Sequence, residues 1–207
     1  MDGLSTIALE PGPWQPPRAE PRSNAGYLVI RGMLLRRVLV GKGRSVELLG
    51  RDDLLMPGRD ETVSFTRVEW QVVEPSRLAV LDLRPDSPLA RRPGLAAGVA
   101  SRAIDRSRSF AMQSAIMSIV GIDERLHTLL WALAERWGRP VPGGAEIDLD
   151  VPQGVLAEMV GARRQTVSGA LGDLCDRGLL ESRGPGRWVL WGEAPEAPSP
   201  KLPGRTP

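Results

Sequence analysis

Between Gly98 and Val120 the chain has no proline, and a seam of residues recurs at alternating steps of four and three. It runs Val99, Ala103, Arg106, Phe110, Gln113, Met117 and Val120. This spacing puts all of them on one face of a helix. As heptad spacing it suits a helix that pairs with a copy of itself, with Arg106 and Gln113 fixing register or touching something held between subunits. It equally suits an amphipathic helix lying on its own sheet, and periodicity alone does not separate the two. Either way the stretch divides the chain, because the segments before and after it are patterned differently.

From Tyr27 to Leu83 short apolar stretches alternate with turn signals. YLVIRG and MLLRRVLV lead to Gly41-Lys42-Gly43, then SVELLG and a polar break at Arg51-Asp52-Asp53. After LLMPGRDE come VSFTRVEWQVV, a turn at Glu74-Pro75-Ser76, and RLAVLDL. Short strands at this spacing predict an antiparallel sandwich or barrel in trimmed form. Gly41-Lys42-Gly43 is its hairpin signal, since glycine supplies the positive φ of such turns. Residues 1–24 hold five of the 19 prolines and few bulky apolar side chains, which predicts a flexible or extended arm. Trp14 is the residue in it suited to dock on the folded body. Residues 192–207 have the same character and predict a disordered tail.

Beyond the long helix, Gly121 reads as its end and Asp123 as the N-cap of the next. Leu126, Leu129, Leu130, Leu133 and Trp137 then form one buried stripe. His127 lies off the stripe and reads as a boundary histidine rather than a ligand. Gly138-Arg139-Pro140 breaks this helix, and Ile147–Leu149 is short enough for one strand.

Residues 153–173, QGVLAEMVGARRQTVSGALGD, fit a helix-turn-helix. Ala157 is small where two helices cross, Gly161 suits the tight turn, and Val167 packs the second helix back on the first. Leu156, Val160, Leu171 and Leu174 complete the apolar face, and Asp150 is placed to cap the first helix. Arg163, Arg164, Gln165, Thr166 and Ser168 open the second helix on its outward side. Arg there can be bidentate to guanine, Gln can read adenine, and Ser and Thr can reach phosphate or a base edge. Gly184-Pro185-Gly186 then joins two short strands into a wing, packed by Trp188 and Trp191. Cys175 reads as a small core hydrophobe on the second helix.

One cysteine and one histidine exclude an intramolecular disulfide, a structural zinc site and a cysteine-held iron–sulfur cluster. A metal cupin enzyme is disfavoured, because residues 26–90 contain neither His nor Cys. The formal charge is only +2, so affinity for nucleic acid must come from where the arginines sit. No apolar run approaches the roughly 20 residues a bilayer needs. The N-terminus lacks the pattern of a secretory signal. The expectation is a soluble cytoplasmic protein with no membrane partner.

In its order of elements the chain resembles the Crp/Fnr family of bacterial transcription regulators, and VGARRQTVSGALGDLCDRGLLESRG resembles that family's recognition segment. The resemblance implies an α+β fold: an N-terminal antiparallel β-roll, cupin-like, then a long dimerisation helix and a C-terminal winged helix-turn-helix. It divides the chain into an arm (1–24), a degenerate cyclic-nucleotide-binding-like sensor (25–90), a dimerisation helix (94–121), a DNA-binding domain (122–191) and a tail (192–207). It places Arg164, Gln165, Thr166 and Ser168 at the DNA surface. The family often has Glu at Gln165 and Arg at Gly169, so a different operator is implied. Where nucleotide-binding members hold ribose and cyclic phosphate, this chain has Met56-Pro57 and Thr66-Arg67-Val68, with Arg67 or Arg59 as the available cations. Dependence on cyclic AMP is therefore not expected, nor is any metal, haem or other cofactor.

The expected function is that of a homodimeric, non-enzymatic regulator that binds an inverted repeat in double-stranded DNA. RNA polymerase is a further partner to consider, and an effector is either unidentified or not needed. The alternative is a winged-helix module that docks on another regulator or on the polymerase without touching DNA.

Overall fold

A computed structural model describes residues 4–17, 24–57, 64–82, 84–85, 87–149 and 151–196. Six strands form the first sheet: β1 (Thr6–Leu9), β2 (Gly12–Trp14), β3 (Asn24–Val40), β4 (Gly43–Leu49), β5 (Leu54–Leu55) and β6 (Thr66–Asp82). The order is β1-β6-β3-β4, with β2 also on β6 and β5 also on β3, all antiparallel. β3 and β6 carry the sheet, paired from Asn24↔Asp82 to Val40↔Thr66.

The sheet is apolar on both faces, and adjacent leucines serve opposite sides as strand alternation requires. Leu34 and Leu49 join Tyr27, Trp70, Val72 and Leu78 in one cluster. Leu35 and Leu48 point the other way and share a core with the helices that follow. The β3–β4 hairpin turns at Gly41 and Lys42, with φ +57° at Gly41. Glycine at the first central position is the mark of a type II′ turn.

Two sequence expectations need correction here. Glu74-Pro75-Ser76 is no turn, and β3 does not break at Gly32. Both strands run through, with the register shifting around Arg31 and Met33. Pro75 is tolerated because a bulge asks for no ladder hydrogen bond from it. Gly32 faces it at φ +85°, where an added Cβ would collide with Ser76 Oγ. The N-terminal segment is also more ordered than its prolines suggested. β1 pairs with Ser76–Ala79 and β2 with Trp70–Val72. Ile7 and Leu9 alternate onto the core, and Trp14 meets Tyr27 and Trp70 edge-on at 5.6 and 5.9 Å. Proline costs little on such edge strands. Residues 1–3, 18–23 and 197–207 lie outside the described residues.

After α1 (Pro88–Arg91), α2 runs from Pro93 to Ser118. It starts ahead of Gly98, because a proline at the first helical turn needs no hydrogen bond from its nitrogen. One face of α2 lies on the sheet. Arg106 Nη1 donates to the Leu54 carbonyl at 2.7 Å, and Gln113 Nε2 donates to the Val46 carbonyl. β4 is an edge strand, so these side chains cover part of a sheet edge. Arg106 and Arg36 also flank Glu47, at 3.1 and 3.5 Å. Burial pushes the Glu47 carboxyl up, against the pull of the Arg106 and Arg36 charges.

The seam read from the sequence therefore divides. Val99, Arg106 and Gln113 are half-buried towards the body, while Ala103, Phe110 and Met117 are exposed. Val120 lies beyond the helix end and is 94% exposed. The polar residues of the seam, Arg106 and Gln113, are bonded to the chain's own sheet, as the reading of a helix lying on that sheet allows. The exposed face carries Ala100, Ala103, Ser107, Phe110, Ser114 and Met117, again at steps of three and four.

The remaining elements are α3 (Ile122–Trp137), β7 (Arg139–Val141), β8 (Gly144–Asp148), α4 (Gln153–Met159), α5 (Arg164–Asp176), β9 (Leu180–Gly184) and β10 (Arg187–Trp191). Their strands form a second antiparallel sheet, β7-β8-β10-β9. Leu126, Leu129, Leu130 and Leu133 are buried, with Trp137 packed beside them. Asp123 is not the N-cap of α3. Gly121 holds that position without a side-chain bond, and Asp123 sits in the first turn, where its charge faces the positive helix end.

Candidate nucleic-acid interface

α4 and α5 meet where their sequence is smallest. Ala157 is 3% exposed and Val167 is fully buried. Between them Gly161 takes φ +65°. The turn is closed by the Ala162 N–H donating to the Ala157 carbonyl at 2.9 Å and the Gly161 N–H to Glu158 at 3.2 Å. Val167, Ala170, Leu171 and Leu174 bury the inner face of α5. Cys175 packs partly against the same core. α4 begins after Pro152, which contributes no side-chain cap, and Asp150 lies outside the described residues.

What remains outward at the start of α5 is the set singled out in the sequence. Arg163, Arg164, Gln165, Thr166 and Ser168 are all exposed. Arg163 is the N-cap residue, and no side chain caps the helix. The first-turn N–H groups therefore point at solvent, a ready anion site at the positive end of a helix. Arg163 and Arg164 make no ion pair or side-chain hydrogen bond among the described residues. Other arginines nearby are engaged: Arg177 with Asp123 at 3.1 Å, Arg183 with Glu181 at 3.0 Å, and Arg187 with Asp148 at 3.0 Å.

The wing follows from β9 and β10, joined through Pro185 and Gly186 with φ +70° at Gly186. Trp188 and Leu190 are buried in the core shared with the helices and hold the wing to them, while Trp191 is half-buried beside Gly143 in the turn between β7 and β8. Sequence reasoning passed over Arg125, which sits beside the apolar stripe of α3 and bonds to backbone carbonyls on either side of it. Nothing in periodicity marks such a residue, because its partners are main-chain atoms.

His127 accepts a hydrogen bond at Nε2 from the Trp131 indole N–H at 3.1 Å. Burial, with the Arg177 charge beside it, holds its pKa below the ordinary value. It is a half-buried packing residue within α3, at the edge of its apolar stripe. Among the described residues no group of His, Cys, Asp and Glu is arranged to hold a metal ion. No helix is long and apolar enough to cross a membrane. In the first sheet Arg67 is exposed and paired with Glu69 at 3.0 Å. Arg59 lies outside the described residues.

Comparison with known proteins agrees with this architecture. Residues 124–190 match the Crp-like helix-turn-helix domain. A CRP-like cAMP-activated global transcriptional regulator of Mycobacterium tuberculosis is 26% identical over 166 residues, covering 76% of this chain and 72% of the relative. A CooA variant from Carboxydothermus hydrogenoformans shares the fold at a TM-score of 0.72 and 18% identity, over 91% of this chain and 84% of that one. A CRP/FNR-family transcriptional regulator from Thermus thermophilus does so at 0.62 and 20% identity, over 90% and 93%. These relatives are regulators rather than enzymes. With a β-roll, a long helix and a helix-turn-helix in one chain, this protein carries a Crp-like helix-turn-helix domain over residues 124–190 and is similar in sequence and fold to CRP-like and CRP/FNR transcriptional regulators.

Proposed function

We propose that the protein acts as a homodimer on an inverted-repeat operator, without cyclic AMP. One observation carries this reading: two unengaged guanidiniums and an uncapped helix N-terminus share one exposed surface with Gln165, Thr166 and Ser168. Arg163 and Arg164 supply phosphate or guanine contacts, and Gln165 a base contact. The exposed stripe of α2 from Ala100 to Met117 supplies a pairing face of small and apolar residues at coiled-coil spacing. A two-fold pair of recognition helices calls for half-sites about one duplex turn apart.

Independence from cyclic AMP rests on the sheet. The cyclic phosphate of a nucleotide calls for a paired guanidinium. Arg67 is turned to solvent and paired with Glu69, while Leu34, Leu49, Leu55 and Trp70 fill the space between the strands. The cytoplasm is the compartment in which such a protein meets DNA and RNA polymerase.

The test is a gel-shift assay on DNA from upstream of the protein's own gene, with and without cyclic AMP. The wild type should shift the duplex at low salt equally in both conditions, and Arg164→Ala should weaken the shift. Absence of any duplex binding above background at low salt contradicts the proposal.

A further inference from the structure

Two helices of this chain end at one guanidinium. α2 gives way at Ile119 and α4 at Val160, their C-cap residues. At each end the last carbonyls lose their intrahelical N–H partners and carry about half a negative charge. Arg125, in the first turn of α3, donates Nε to the Ile119 carbonyl at 2.9 Å and Nη1 to the Val160 carbonyl at 2.7 Å. Its Nη2 also reaches the Ile119 carbonyl. Hydrogen bonds from an ionised donor belong to the strong class.

The position of these carbonyls matters more than their number. Ile119 lies on the segment joining α2 to α3. Val160 immediately precedes Gly161, the turn residue that sets the direction of α5. A planar guanidinium serves acceptors in two directions at once, whereas a lysine ammonium is a point charge on a flexible stem. Met117 adds an apolar contact between the same two regions, because the space a Cβ would take at Gly161 lies 2.7 Å from its Cε.

We infer that Arg125 is a positioning residue for operator binding. It fixes the angle between the pairing helix α2 and the recognition helix α5, and so the separation of the two recognition helices in the dimer, without touching DNA. This inference rests on the DNA-binding reading above and specifies how that site is aimed.

The test uses the full-length protein as wild type, Arg125→Met and Arg125→Lys. Binding is measured on duplexes carrying the inverted repeat that the wild type selects from a random pool, with the half-sites moved one base pair closer or further apart. The α2–α5 distance is measured without DNA by pulsed electron resonance between spin labels at Ser101→Cys and Asp173→Cys. Cys175→Ala removes the native thiol, and labelled subunits are diluted with unlabelled protein. Arg125→Met should lose about tenfold affinity on the best spacing, within the usual range of coupling between sites. It should discriminate less between spacings, keep the wild-type salt dependence, and broaden the distance distribution. Arg125→Lys should fall between Met and wild type in each respect and guards against a Met variant that does not fold.

An unchanged distance distribution together with an unchanged spacing preference overturns the inference. So does an equal loss on every spacing with a shallower salt dependence, which would make Arg125 a phosphate contact. A broadened distance distribution in a protein whose wild type selects no duplex leaves the clamp standing and removes the DNA-binding reading.

Discussion

Met117 on α2 closes over Gly161 in the helix-turn-helix. Any Cβ at Gly161 would stand 2.7 Å from Met117 Cε, at a backbone φ of +65° that side chains disfavour. Gly161→Ala should therefore destabilise the protein by about 1–2 kcal/mol from the backbone alone. That corresponds to a fall in Tm of roughly 2–8 °C for a chain of this size. In a Met117→Ala background the added cost of the crowding should disappear while the backbone cost remains. A thermal-unfolding double-mutant cycle separates the two, and strict additivity would show that Met117 does not seat on the turn.

Glycines on α5 predict the opposite sign. Gly169 and Gly172 sit inside the helix, with nothing within 4 Å of where a Cβ would be. Gly172→Ala should stabilise by about 1 kcal/mol, the usual helix-interior difference. Gly169 lies beside Ser168 on the exposed side, so Gly169→Arg should add a cation facing DNA. Its effect should be tighter operator binding and a salt slope steeper by about one.

Glu47 is held between Arg36 and Arg106 with its side chain 10% exposed. Glu47→Ala removes the carboxylate between the Arg36 guanidinium, which lies over Trp70 and Phe110, and that of Arg106, which lies over Phe110. Loss of one partner from a buried ion pair costs about 3–5 kcal/mol. Chemical denaturation should show a loss of that order, and a change below about 1 kcal/mol, the worth of a surface pair, would mean that the ion pairs do not hold α2 to the sheet.

His127 gives a pH dependence with a definite sign. Its folded pKa is lowered, so below the ordinary histidine value near 6.5 the unfolded chain binds more protons than the folded one. Stability from this group is present above that value and is lost as pH falls through it towards the lower folded pKa. Comparing Tm between about pH 7.5 and 5.5, wild type should lose more than His127→Gln, which keeps an acceptor for Trp131 but does not titrate. Equal losses would contradict the burial of a neutral imidazole.

The helix-turn-helix was legible because Ala157, Gly161 and Val167 do local work, and local steric demands leave a pattern in sequence. The stripe of α3 was legible for the same reason. Long-range pairing was not. Glu74-Pro75-Ser76 carries the composition of a turn, and only the opposing bulge at Gly32 lets β6 run through it. The proline-rich arm hid β1 and β2, whose signal is one short alternation, Ile7 and Leu9. On α2 the spacing was visible, but the rotation of the helix was not. Arg106 and Gln113 find partners in Leu54 and Val46, backbone atoms far away in the chain. Arg125 was missed on the same grounds.

The central claim is that paired copies of α5 read an inverted repeat. Its most direct measurement is crosslinking of the tagged protein to DNA in living cells, with recovery of the bound sequences. The account predicts one motif with two-fold symmetry and half-site centres about one duplex turn apart. Recovery of no shared motif, or of a single unrepeated site, would contradict it.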